Sequence, residues 1–145
     1  MTAIDISEGV CQFLQTLSSV TAVIGTSPNA RIYPDVLPQG ATLPAITYEE
    51  PSGQEDYHLT GRSGMAESRV QINCFAATRS AANALGRIVR NTLGDGVNRQ
   101  CGGIYVRKCH VENDHTIYES PIDGSDAGRY VRSTDYVISY QQQLT

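Results

Sequence analysis

Hydrophobic and polar positions alternate with a period of two from Ser68 to Ala76. Val70, Ile72, Cys74 and Ala76 fall on one side, and Arg69, Gln71, Asn73 and Phe75 on the other. That period predicts a strand with one buried face. At Thr78 the period lengthens. Ala81, Leu85, Ile88 and Thr92 recur at helical spacing, Ala82, Val89 and Leu93 widen the stripe, and Arg79, Asn83, Arg87, Arg90 and Asn91 fall largely outside it. Thr78 is placed as the N-cap of this helix and Gly94 as its C-terminal stop.

The rest of the chain is read around this strand–helix unit. Val10, Phe13, Leu14 and Leu17, with Ile6 one turn earlier, predict an amphipathic helix over residues 4–18, and Val20 to Ile24 add a short turn. Arg31 to Tyr33 and Ala45 to Glu50 predict strands, separated by a connection rich in proline. Pro51 to Glu67 shows no sustained period and is expected to be a long loop. Ile104 to Val111 predicts a strand of mixed alternation, with Ile104 and Val106 on one face and Tyr105, Cys109 and Val111 on the other. Glu112 to Gly128 is expected to be irregular. Tyr130 to Gln141 is the last strand, with Tyr136, Ile138 and Tyr140 on one face. The order predicts a single α+β domain over residues 1–145, an antiparallel sheet of about four to five strands with two helices packed on one face.

Composition adds three points. Apolar content of 40% and charged content of 18% are both low for a globular protein, which suggests that some burial comes from a partner chain. Eight Tyr against two Phe and no Trp suits half-buried surfaces and interfaces. A net charge of −4 argues against an overall polyanion-binding surface. The first ten residues carry no basic segment followed by an apolar run, and no apolar run approaches the roughly 20 residues of a membrane span. A protein made in the cytoplasm, without membrane contact, is expected.

Candidate chemistry is thin. The run CHVENDH from Cys109 to His115 offers thiol, imidazole and carboxylate, but on a strand Cys109 and His110 point to opposite faces. No nucleophile elbow and no phosphate-binding glycine loop occurs, and the cysteines match no zinc spacing. No catalytic residue, metal or cofactor is therefore expected, and the protein is read as no enzyme. The charge pattern is more informative. Between Ala77 and Gln100, Arg79, Arg87, Arg90 and Arg99 face Asp95 alone, whereas residues 112–128 carry Glu112, Asp114, Glu119, Asp123 and Asp126 with no Lys or Arg. A subunit interface is expected between the basic helix face (Arg79, Arg87, Arg90) and these five acids, in a heterologous contact that closes into a ring. A small nucleic-acid-binding module is the reading from another class; it lacks the basic and aromatic interleaving of single-strand binders.

Several stretches together resemble a known family. They are RIYP at 31–34, PQG at 38–40, LPAITY at 43–48, HLTGRSG at 58–64, the block from Arg69 to Leu93, and GRYVRSTDYVISYQ at 128–141. With the N-terminal amphipathic helix, they resemble the tail-completion family of bacteriophages and prophages. That family includes tail terminators, tail-to-head joining proteins and proteins like minor tail protein U. The resemblance implies an α+β subunit that forms a ring, commonly a hexamer, at the head-proximal end of the virion tail after assembly in the host cytoplasm. It implies capping of the tail tube, an end to tube polymerisation and joining of tail to head. The implied partners are other copies of the chain, the tail tube protein, a head-completion or connector protein, and DNA passing through the lumen without specific binding. A head-completion or neck connector protein of the same virion is the alternative role. No catalytic residue is carried over.

Overall fold

A computed structural model describes residues 6–26, 29–50, 58–60, 65–93, 99–101, 104–120 and 128–141. The fold is α+β. The expected N-terminal helix divides in two, α1 (Ile6–Gln15) and α2 (Ser18–Ile24), and α3 is Arg79–Leu93. Four strands are long: β2 (Ala45–Glu49), β4 (Met65–Ala76), β6 (Ile104–Glu119) and β7 (Arg129–Gln141). Three have only three residues: β1 (Ile32–Pro34), β3 (His58–Thr60) and β5 (Arg99–Cys101).

All seven strands join one sheet in the order β1-β2-β4-β7-β6-β5, with β3 added beside β4. The pairs are antiparallel except β1 with β2. That parallel pair is possible because the proline-rich connection is long enough to return the chain to the same end. Part of each long segment expected to be irregular is strand. β3 pairs with Met65–Glu67, and Glu112 to Glu119 continues β6 against β7. The expected stop at Gly94 lies outside the described residues.

The helices cover one face of the sheet. Opposed residues of antiparallel strands share a face, and the register places Val70, Ile72 and Cys74 of β4 beside Tyr136, Thr134 and Arg132 of β7. Val70, Ile72, Cys74, Tyr136 and Ile138 are buried with Val10, Leu14, Val20 and Ile24 of α1 and α2, and with Leu85, Val89 and Leu93 of α3. Thr78 caps α3 as expected, its hydroxyl accepting from Ala81 N–H at 3.1 Å.

The opposite, outer face has a smaller core at one end. Pro34 leads into a tight turn in which Val36 N–H donates to Pro34 C=O at 2.7 Å and Asp35 adopts φ 64°. Asp tolerates that left-handed backbone better than a branched residue. The chain then crosses beneath the sheet. Leu37 is buried against Ala45, Phe75 and Val131, with Tyr33, Ala41 and Leu43 packed around them.

Candidate functional site

The mixed alternation of β6 has a structural cause. Its register against β7 shifts twice, between Val106 and Lys108 and between Val111 and Asn113. Each bulge takes up one residue and restores the facing of the residues beyond it. Val106, Cys109 and Val111 therefore all face the helices, opposite Tyr140, Ile138 and Tyr136. After the second bulge Asp114, Thr116 and Tyr118 take that face, opposite Thr134, Arg132 and Tyr130.

Asp114 is thus aimed under α3. Its side chain is only 10% exposed and accepts four hydrogen bonds. Arg132 gives two, Nε to Oδ1 at 2.8 Å and an Nη to Oδ2 at 2.7 Å. Arg90 of α3 gives one at 2.8 Å and Thr134 Oγ1 one at 3.0 Å. The Arg132 hydrogen bonds, against an opposing desolvation, hold the Asp114 carboxyl below the usual range, and Thr134 and Arg90 add to them. Arg132 is pushed up in turn by its bond to Asp114. This two-pronged pairing is the strong form of arginine–carboxylate contact. Arg132 reaches Asp114 by running past Gly86 of α3, where a side chain would collide with its stem.

Two further acids of the hairpin pair with arginines, one across β7 and one on β7 itself. Glu112 meets Arg69 of β4 at 2.7 Å, and Glu119 meets Arg129 of β7 at 2.6 Å. Arg129 also stacks on Phe75, 4.9 Å from the ring centroid. Of the residues expected at a subunit interface, Arg90 and Asp114 therefore meet within one chain, while Glu112 and Glu119 are paired to strand arginines. Arg79 and Arg87 lie exposed on α3. Asp123 and Asp126 lie outside the described residues. At the end of the hairpin the rings of Tyr118 and Tyr130 pack with centroids 5.0 Å apart, tilted by 57°.

Cys109 and His110 point to opposite faces as expected, Cys109 into the core and His110 outward. Cys11, Cys74 and Cys109 are buried and lie in no disulfide. Burial pushes Cys74 up to about 12, and it raises Cys11 as well. Such thiols are poor nucleophiles and behave as small apolar groups.

The family model described as "Tail completion protein gp17" matches residues 8–114, most of the chain. The chain belongs to this family. Its role is accordingly a structural one in completing a bacteriophage tail, in association with other virion components. A solved structure titled "Virion of native gene transfer agent (GTA) particle" contains a chain with the same fold. The alignment covers 93% of this tail completion protein and 94% of that chain, with 16% identity and a TM-score of 0.62. A second solved structure aligns over 97% of this chain and 99% of its own at 17% identity, with a TM-score of 0.46, too low to argue from. No curated protein matches the sequence.

In this tail completion protein the arginines of the charge network are harder to find than the acids. The local pattern of the sequence singles out none of Arg69, Arg129 and Arg132. One longer-range signal is present for Arg132. It has the same parity as Tyr136, Ile138 and Tyr140, so it sits on the buried face of its strand, where a charge requires a partner.

Proposed function

We propose that the protein forms a ring of identical subunits at the head-proximal end of the tail tube, halts polymerisation of the tube and joins tail to head. The observation that carries this reading is the family match over residues 8–114, which takes in α1, α2, α3 and the strands up to the second bulge of β6. The protein is a non-catalytic subunit on this reading. Its hairpin acids Glu112, Asp114 and Glu119 each hold an arginine, which is a structural use of charge. The tail tube protein and a head-side connector are its neighbours. With a net charge of −4 the subunit has little attraction for DNA passing through the lumen.

Arg79 and Arg87 are the cleanest part of the basic helix face to test as a subunit contact, because Arg90 also holds Asp114. The decisive experiment is negative-stain imaging of the protein mixed with tail tubes of its own particle. Tubes of uniform length with capped ends are expected. The Arg79→Glu/Arg87→Glu variant should cap fewer tubes, most visibly at low salt. Tubes that keep growing in the presence of wild-type protein would refute the capping role.

A further inference from the structure

Most arginines of the described residues have a partner within the chain. Arg31 donates to the carbonyls of Val23 and Pro44, and Arg69 meets Glu112. Arg90 and Arg132 share Asp114, Arg129 meets Glu119, and Arg107 lies over the Tyr105 ring. Among the described residues Arg79 and Arg87 of α3 have none, and both are exposed. Arg87 shares the exposed side of the helix with Ser80, Ala84 and Asn91, spaced four, three and four residues apart, opposite the buried Leu85, Val89 and Leu93. Arg79 lies in the first turn, which holds no acid and where the helix dipole disfavours a cation. Helix stability therefore gives no reason for its charge.

The outer face of the sheet holds the complementary charge. One row of the register runs Glu49–Gln71–Asp135–Asn113 across β2, β4, β7 and β6. Asp135 accepts from the Gln71 amide at 2.9 Å, and Glu49 from the Asn73 amide at 3.4 Å. These bonds leave both charges uncompensated, and neither carboxylate meets a cation among the described residues. Arg69, the cation one row away, is held by Glu112. Glu49, Gln71 and Asp135 are half-buried, with Asn113 exposed beside them. The adjoining row, Thr47–Asn73–Ser133–His115, presents hydroxyls, an amide and an imidazole.

The two charge pairs match in spacing. Glu49 and Asp135 are two strands apart in one row, roughly 10 Å. Arg79 and Arg87 are eight residues apart on one helix, a rise of about 12 Å. Flexible arginine side chains take up the difference. The two surfaces lie on opposite sides of the subunit, since α3 covers the inner face of the sheet and Glu49 and Asp135 belong to the outer one. One copy therefore cannot close the pairs on itself. We infer that the exposed side of α3 docks across the outer sheet face of a second copy, with Arg79 and Arg87 set against Glu49 and Asp135. This rests on the ring reading above and names its contact. The contact is heterologous, so each subunit gives its helix to one neighbour and its sheet to the other, and the series closes where the rotation permits. The small Ser80 and Ala84 let the helix lie close on the polar rows, while the hairpin acids stay with their own arginines.

Charge-swapped full-length chains test the proposal, followed by light scattering at low and high salt, alone and with tail tubes. Arg79→Glu/Arg87→Glu and Glu49→Lys/Asp135→Lys should each need at least about tenfold more protein to form the multimer, with a smaller deficit at high salt. An equal mixture of the two should assemble as wild type does, because each helix then meets a sheet face of opposite charge. Circular dichroism and Tm check that both variants are folded. If the lysine pair unfolds, Glu49→Gln/Asp135→Asn keeps the oxygens that accept from Asn73 and Gln71, and it should assemble more weakly than wild type at low salt. A sheet-face variant that assembles as wild type, or a mixture of folded variants that stays apart, would overturn the docking and leave the ring standing. Wild-type protein that stays monomeric even with tubes would remove the ring and this contact together.

Discussion

Arg132 passes so close to Gly86 that a Cβ at residue 86 would sit 2.6 Å from Arg132 Cγ and 3.3 Å from its Cβ. The near part of the arginine stem is involved, and its far end is fixed by Asp114. Gly86→Ala should gain about 1 kcal/mol of helix propensity and lose more through the displaced Arg132. A net loss of about 1–3 kcal/mol is expected in urea unfolding. A variant more stable than wild type would show that α3 lifts away from the sheet at little cost.

The Asp114 carboxyl is held below its ordinary range, so its contribution has a defined pH window. It is present above the unfolded-state value of about 4 and is lost as pH falls through the lower folded value. Asp114→Asn should cost roughly 1.5–3 kcal/mol at pH 7, the range for hydrogen bonds to charged groups. The gap between wild type and variant should narrow below about pH 4. Urea unfolding of both proteins between neutral and acid pH measures it. A gap independent of pH would assign the loss to packing.

Cys74 is buried, with its thiol pushed up to about 12. At pH 8 its iodoacetamide labelling should wait for unfolding. Peptide mapping should find Cys74 unlabelled in native buffer and labelled in urea. Since the folded thiol resists ionisation and the unfolded one does not, stability should decline as pH rises above about 9. Rapid native labelling of Cys74 would mean that the sheet opens beneath α3.

Tyr136 is fully buried, and among the described residues its hydroxyl has no hydrogen-bond partner. An unsatisfied buried hydroxyl costs about 1–3 kcal/mol. Tyr136→Phe should therefore equal or exceed wild type in Tm. A drop of several degrees would reveal a bound water or another partner for the hydroxyl.

Local periodicity carried the legible part of the fold. The strand from Val70 to Ala76, the helix from Arg79 to Leu93 and its Thr78 cap depend on neighbours a few residues apart, and they stand as read. β6 beyond Val111 was not legible, because two bulges break its alternation and its acids resemble a solvated loop. The partner of Asp114 lies 18 residues away on β7, a pairing set by register and hidden from any local window. The charge contrast between helix and hairpin was visible, and Arg90 does meet Asp114, but sequence does not say whether such a pair closes within a subunit or between two. Gly86 was unreadable for a related reason. It is small because of Arg132, which is distant in the chain.

The two bulges give β6 slack in its length. In a regular strand, removing one residue turns every later side chain to the wrong face. At Glu112 the surplus residue is the one removed, so its deletion leaves a flush ladder in which Asp114 still meets Arg132 and Thr116 still meets Asn83. That deletion should fold at the cost of the Arg69 contact, whereas deleting Ile117 should scramble the facing of the strand's end. The tail completion protein thus carries a spare residue in its longest strand, where the chain can shorten by one without inverting its charged layer.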